Sequence, residues 1–106
     1  GVLNNFAWVL ATSPDDKLRD GSRALELARQ ACELTDYKEA HILSTLASAH
    51  AELGDFEKAV KWAKKACELG DESVQEQLKQ ELESYKNREP WRERKTEKES
   101  ESEAKP

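Results

Sequence analysis

The stretch "ARQACEL", residues 28–34, returns thirty-five residues later as "AKKACEL", residues 63–69. The register holds outside the quoted letters. Ala24 falls on Ala59, Leu25 on Val60 and Leu27 on Trp62, and the match runs through Leu34 and Leu69. A fixed lag of this size is what a repeat architecture writes into a sequence. Within each copy the alanines recur at three- and four-residue intervals, so both copies are amphipathic helices with a stripe of small residues.

Working outward, helical periodicity continues on both sides. Residues 2–12, "VLNNFAWVLAT", set Leu3, Phe6, Ala7 and Leu10 on one face. "SPDDKLRD" interrupts with Ser13, Pro14 and two aspartates, a turn. Asp20 is the expected N-cap of the second helix, and Thr35 or Asp36 that of the third. The third helix carries Ile42, Leu43, Leu46, Ala47 and His50. Gly54 stops it and Asp55 caps the fourth, which bears Phe56, Ala59, Val60, Ala63, Ala66 and Leu69. Gly70 stops that helix, and Asp71 caps a fifth with Val74, Leu78, Leu82 and Tyr85 as its apolar edge. From residue 89 the composition turns to mixed charge with serine, a tail in which Trp91 alone is apolar enough to dock back. Alternating strand patterns are absent.

Composition agrees. The chain has 106 residues, enough for one small domain, with hydrophobic and charged residues at 37% each, a balance that suits a thin, surface-rich fold. A net charge of −5 argues against wrapping a nucleic-acid backbone, and the basic cluster of Lys58 to Lys65 is diluted by the acids that flank it. No apolar run is long enough to span a bilayer, and no signal peptide is visible, so a cytoplasmic location is expected. The absence of methionine and the start on Gly1, directly before an apolar helix, read as a fragment of a longer protein. Cys32 and Cys67 occupy equivalent repeat positions. Stacked helices lie roughly 8–10 Å apart, too far for a disulfide, so two buried, reduced thiols are expected. Neither has the spacing of a metal site.

Paired helices with small residues at the crossings resemble the tetratricopeptide repeat. Residues 40–73 match its thirty-four-residue period. Leu43, Leu46 and Ala47 fall on its helix A positions, His50 stands where tyrosine is usual, Gly54-Asp55-Phe56 forms the turn, and Ala59 and Ala66 hold the small positions of helix B. Asp71 replaces the usual terminal proline. The first repeat, residues 2–36, aligns at a lag of forty, about five residues longer, because of the inserted turn at 13–20. The resemblance implies an all-α fold: a right-handed solenoid of two helical hairpins over residues 1–88, with a capping helix at 71–87 and a charged tail at 89–106.

It also implies a role. The first helices of stacked pairs line an inner surface. By that register the inner face holds Asn4, Asn5, Trp8, Ala11 and Thr12, then His41, Ser44, Thr45, Ser48 and Glu52. This face is polar, nearly uncharged and without lysine or arginine, which disfavours the variety of relative that grips a partner's C-terminal carboxylate. Trp8 is either an aromatic anchor for a peptide or, as the bulk of the inserted turn favours, packing for Pro14 and Leu18. His41 and His50 are nine apart, no ligand pair on a helix; no nucleophile elbow or phosphate loop occurs. The expectation is therefore a non-catalytic scaffold without cofactor or metal, binding a protein or peptide and neither nucleic acid nor membrane. The alternative is an oligomerisation element forming a weak homodimer through Val2, Phe6 and Val9 on the first helix, since two repeats fall short of the three or so that usually stack stably.

Overall fold

In the computed structural model, which describes residues 2–92, five helices follow one another: α1 (Val2–Thr12), α2 (Gly21–Leu34), α3 (Ala40–Glu52), α4 (Phe56–Leu69) and α5 (Glu72–Lys86). Among the described residues there is no strand. The all-α expectation holds, and the inserted turn falls between α1 and α2. Residues 93–106 of the expected tail lie outside the described residues, as does Gly1.

Three aspartates start helices as anticipated. Asp20, Asp55 and Asp71 accept from the backbone N–H of Arg23, Lys58 and Ser73 at 3.1, 3.2 and 3.0 Å. Each satisfies a donor that the first helical turn leaves without an internal partner. The third helix departs from expectation. Its N-cap is Glu39, with no side-chain cap bond. Thr35 instead closes α2, its hydroxyl donating to the Ala31 carbonyl at 2.9 Å. Asp36 is left-handed, at φ 55°, part of the turn that ends α2.

The helix ends share a backbone figure. After α3, Gly54 is left-handed (φ 86°); its N–H bonds to Ala51 O, and Asp55 N–H to His50 O at 2.9 Å. This is a Schellman closure. The same pair of bonds closes α2 through Asp36 and Tyr37, and α5 through Arg88 and Glu89. α4 ends differently: the Gln75 amide reaches back from α5 and donates to the carbonyls of Cys67 and Gly70, both at 2.7 Å. A Cβ on Gly70 would meet the Leu78 and Val74 side chains at 2.7 and 2.8 Å, so glycine lets α5 turn close beneath α4.

Each helix packs on the next in the chain, and α1 also packs on α3. The aligned alanines sit at these crossings: Ala7 and Ala47, Ala24 and Ala59, Ala28 and Ala63, Ala31 and Ala66 are all buried. Small side chains there set how closely the helix axes approach. α3 is the centre, buried without interruption from Ile42 to Ala49. Leu43 and Leu46 fill the cluster shared with α1, α2, α4 and α5.

α5 anchors through Leu78 and Tyr85, both buried, with Leu82 half-buried. Val74, expected on the same edge, is exposed. Trp91 does dock back, against the cluster of Ala47, Ala51, Ala59, Ala63 and Tyr85. The packed unit therefore runs past the expected boundary at 88, as far as Arg92. On α1, Leu3 is half-buried and Leu10 buried, but Phe6 is 46% exposed. Phe6 aligns with the buried Leu46, yet it stays largely open to solvent, with the Arg23 guanidinium of α2 over its ring at 5.7 Å.

Candidate functional site

α1, α3 and α5 enclose a cleft of about 520 Å³. α1 contributes Asn4, Asn5, Trp8 and Val9, and α3 contributes His41, Ser44 and Thr45. These positions follow from helical spacing: 4, 5 and 8 share one side of α1, and 41, 44 and 45 the matching side of α3. Six of the ten inner-face residues expected from the sequence thus meet around one opening. Val9, expected at a dimer contact, also lines it.

The other four have structural tasks. The Thr12 hydroxyl donates to Trp8 O at 2.7 Å and is fully buried. Ser48, 1% exposed, donates to the carbonyls of Ser44 and Thr45. Ala11 is buried with Leu10, Ala24 and Ala49. Glu52 is a clasp: its carboxylate meets Arg92 Nη2 at 2.7 Å and Arg19 Nε at 3.4 Å. Arg19 in turn donates to Ser13 O at 2.6 Å and pairs with Asp16 inside the inserted turn. Arg19 thereby holds the turn; Trp8 lines the cleft, while Pro14 and Leu18 are exposed. The side chain of Val2, expected at the dimer contact, lies outside the described residues; Phe6 and Val9 are exposed.

The third wall was not foreseen. α5 supplies Ser73, Val74, Gln77, Leu78 and Glu81. Glu81 is the chemical centre, a carboxylate 1% exposed. Ser44 Oγ donates to its Oε1, and Gln77 Nε2 donates to its Oε2 at 2.9 Å. Burying a charge is costly unless hydrogen bonds compensate; the Ser44 bond ties α3 to α5, and the Gln77 bond lies within α5. Its field reaches its neighbours. Burial first and Glu81 second push the Tyr85 hydroxyl well above the usual tyrosine range, against a smaller lowering by Ser48. The Cys67 thiol is raised by the same two causes in the same order. The signal in the sequence was the spacing of Ser73, Gln77 and Glu81, a polar i, i+4 stripe beside the apolar one.

The cysteines are both free: Cys32 is buried and Cys67 only half-buried, against the expectation of two buried thiols. Desolvation lifts the Cys32 pKa to about 11, so it remains a thiol and packs as an apolar group. Among the described residues, no group of three or more His, Cys, Asp or Glu is placed to hold a metal ion, and no helix is long and apolar enough to cross a membrane. Comparison with family models, with curated proteins and with solved structures gave no match.

Proposed function

We propose that this chain is a helical-hairpin repeat module of the tetratricopeptide type, with α1–α2 and α3–α4 as its two repeats and α5 as its cap. In this reading it is a right-handed solenoid and a non-catalytic scaffold whose cleft takes an extended segment of a partner protein. The repeated alanine crossings support the architecture. One observation carries the function: Asn4, Asn5, Trp8, His41, Ser44 and Thr45, chosen by repeat register alone, line a single open cleft. Such a concave site with one aromatic and a few convergent polar groups is the usual form of a binding site. Selection of a random peptide library on the folded chain tests the reading. Peptides should be retained by the wild type and lost by Thr45→Trp, which fills the cleft. Retention unchanged by that substitution would exclude the cleft as the binding site.

A second reading is favoured by the exposure of Phe6 and Val9, at 46% and 45%. Two large apolar side chains on one helix are the kind of surface that self-association covers. Sedimentation equilibrium should then show a weak dimer that Phe6→Glu converts to monomer with helix content unchanged. A wild-type chain monomeric at millimolar concentration would remove this reading.

A further inference from the structure

We infer that Asn4 is where the cleft takes hold of its ligand's main chain: its side-chain oxygen accepts a peptide N–H, so the ligand is an internal, extended segment of a partner and not a chain end. The inference rests on the peptide-binding reading above and specifies the contact.

Asn4 stands on α1 in the wall of the cleft and is 8% exposed. Its Oδ1 is buried and has no hydrogen-bond partner among the described residues. Two other buried side-chain atoms there make no hydrogen bond, Arg19 Nε and Tyr85 Oη, and neither residue lines the cleft. The hydroxyls of the facing wall are committed elsewhere. Each carries one proton; that of Ser44 goes to Glu81 and that of Thr45 to the His41 carbonyl at 3.0 Å. Buried acceptors are nearly always paired, because an unpaired one has given up its water for nothing. An acceptor kept in that condition beside an opening of about 520 Å³ is placed for a donor that arrives from outside.

The class of donor follows from its chemistry and from the lining. An extended segment brings a main-chain N–H at every residue but proline, and its side chains project alternately to either side. Val9, Val74 and Leu78 line the same cleft and give those side chains apolar surface. A neutral N–H also leaves water at less cost than a charged group does. A terminal carboxylate offers acceptors alone, so it would set a second acceptor against Asn4 and leave the first unanswered. Rotation about the last side-chain bond of asparagine is soft, which lets Oδ1 turn from the wall to the incoming group.

The test uses the full 106-residue chain and peptides selected on it from a random library. Each peptide is remade with one main-chain amide at a time replaced by an ester, which removes the N–H and keeps the shape. On the wild type one position should lose about tenfold in affinity, the worth of one well-made hydrogen bond. Asn4→Leu should weaken the parent peptide by about the same factor, and on it the ester should cost nothing further. The free Asn4→Leu protein should melt higher than wild type, because an acceptor without a donor gives way to an apolar group of similar size; an asparagine with a purely structural task would melt lower when replaced. Asn4→Ala removes the same acceptor without added bulk and supplies the comparison if Asn4→Leu does not fold. Amidation of the peptide's C-terminus should leave binding unchanged. Cleft-dependent peptides in which no ester matters, in which the ester penalty persists without Asn4, or which need a free C-terminal carboxylate would overturn this inference and leave the peptide-binding reading standing. Failure to select any peptide that Thr45→Trp loses would overturn both.

Discussion

Arg88, Asp36 and Gly54 occupy the same place in three Schellman closures, and only the last is the residue that backbone sterics favour. Their φ values are 59°, 55° and 86°. A side chain in this region suffers a Cβ–carbonyl clash of about 1–2 kcal/mol, less for aspartate, whose short polar side chain tolerates it. Arg88→Gly should therefore stabilise the protein by about 0.5–1 kcal/mol after glycine's extra unfolded-state entropy is subtracted. Asp36→Gly should gain less, and Gly54→Ala should lose about 1 kcal/mol or more. Urea midpoints at constant m-value give the order directly. The same arithmetic explains one sequence misreading. Gly54 advertised its turn, but nothing in the letters at 36 marks a left-handed residue, so Thr35 and Asp36 resembled the start of a helix and not the end of one. His50 carries a different residue-scale consequence. Burial lowers its pKa below 6.5, partly opposed by Asp55. The native state then binds fewer protons than the unfolded chain, so this contribution is complete above 6.5 and is lost as pH falls toward the folded value. His50→Gln should flatten the decline in melting temperature between about pH 7 and 5.

At the scale of the element, α5 carries the most. Leu78 and Tyr85 are buried, and Leu82 and Trp91 add partly buried area. At roughly 1.5–3 kcal/mol for each large apolar side chain fully buried, their sum rivals the total stability of so small a domain. Truncation after Gly70 should remove the cooperative thermal transition; a fragment of residues 1–70 that melts sharply at the wild-type temperature would contradict this. How much of α5 could be read in advance is instructive. Its cap at Asp71 and its buried edge were legible, because aspartate before a helix and an apolar stripe each have one local cause. Its part in the cleft was not. Ser73, Gln77 and Glu81 look like solvated positions on a charged helix, and only the pairing of Glu81 with Ser44, thirty-seven residues away, turns that stripe inward. The inner positions of α1 and α3 were legible for the opposite reason: the repeat register relates them, so six of ten converge. Of the exceptions, Ala11 packs with Leu10, Ala24 and Ala49, and Thr12, Ser48 and Glu52 were claimed by backbone carbonyls or by arginines whose positions no periodicity encodes.

For the whole molecule, the Glu52 carboxylate holds distant parts together. Arg19 belongs to the turn after α1, and Arg92 follows α5. The groups are partly buried, with side-chain exposures of 15%, 33% and 17% for Arg19, Arg92 and Glu52. Glu52→Ala should cost about 1–3 kcal/mol, between the values for surface and fully buried pairs. Hydrogen exchange should accelerate in both residues 13–20 and residues 88–92, and acceleration in one segment alone would show that the clasp is not shared. The position of α5 in the chain has a further consequence during synthesis. A ribosome releases α1 and α3 first, and α5 with Trp91 follows roughly a few seconds later. Until then the earlier four helices have neither a finished core nor the wall that bears Glu81. The cleft proposed as the binding site therefore closes only as the fold does, at the end of translation.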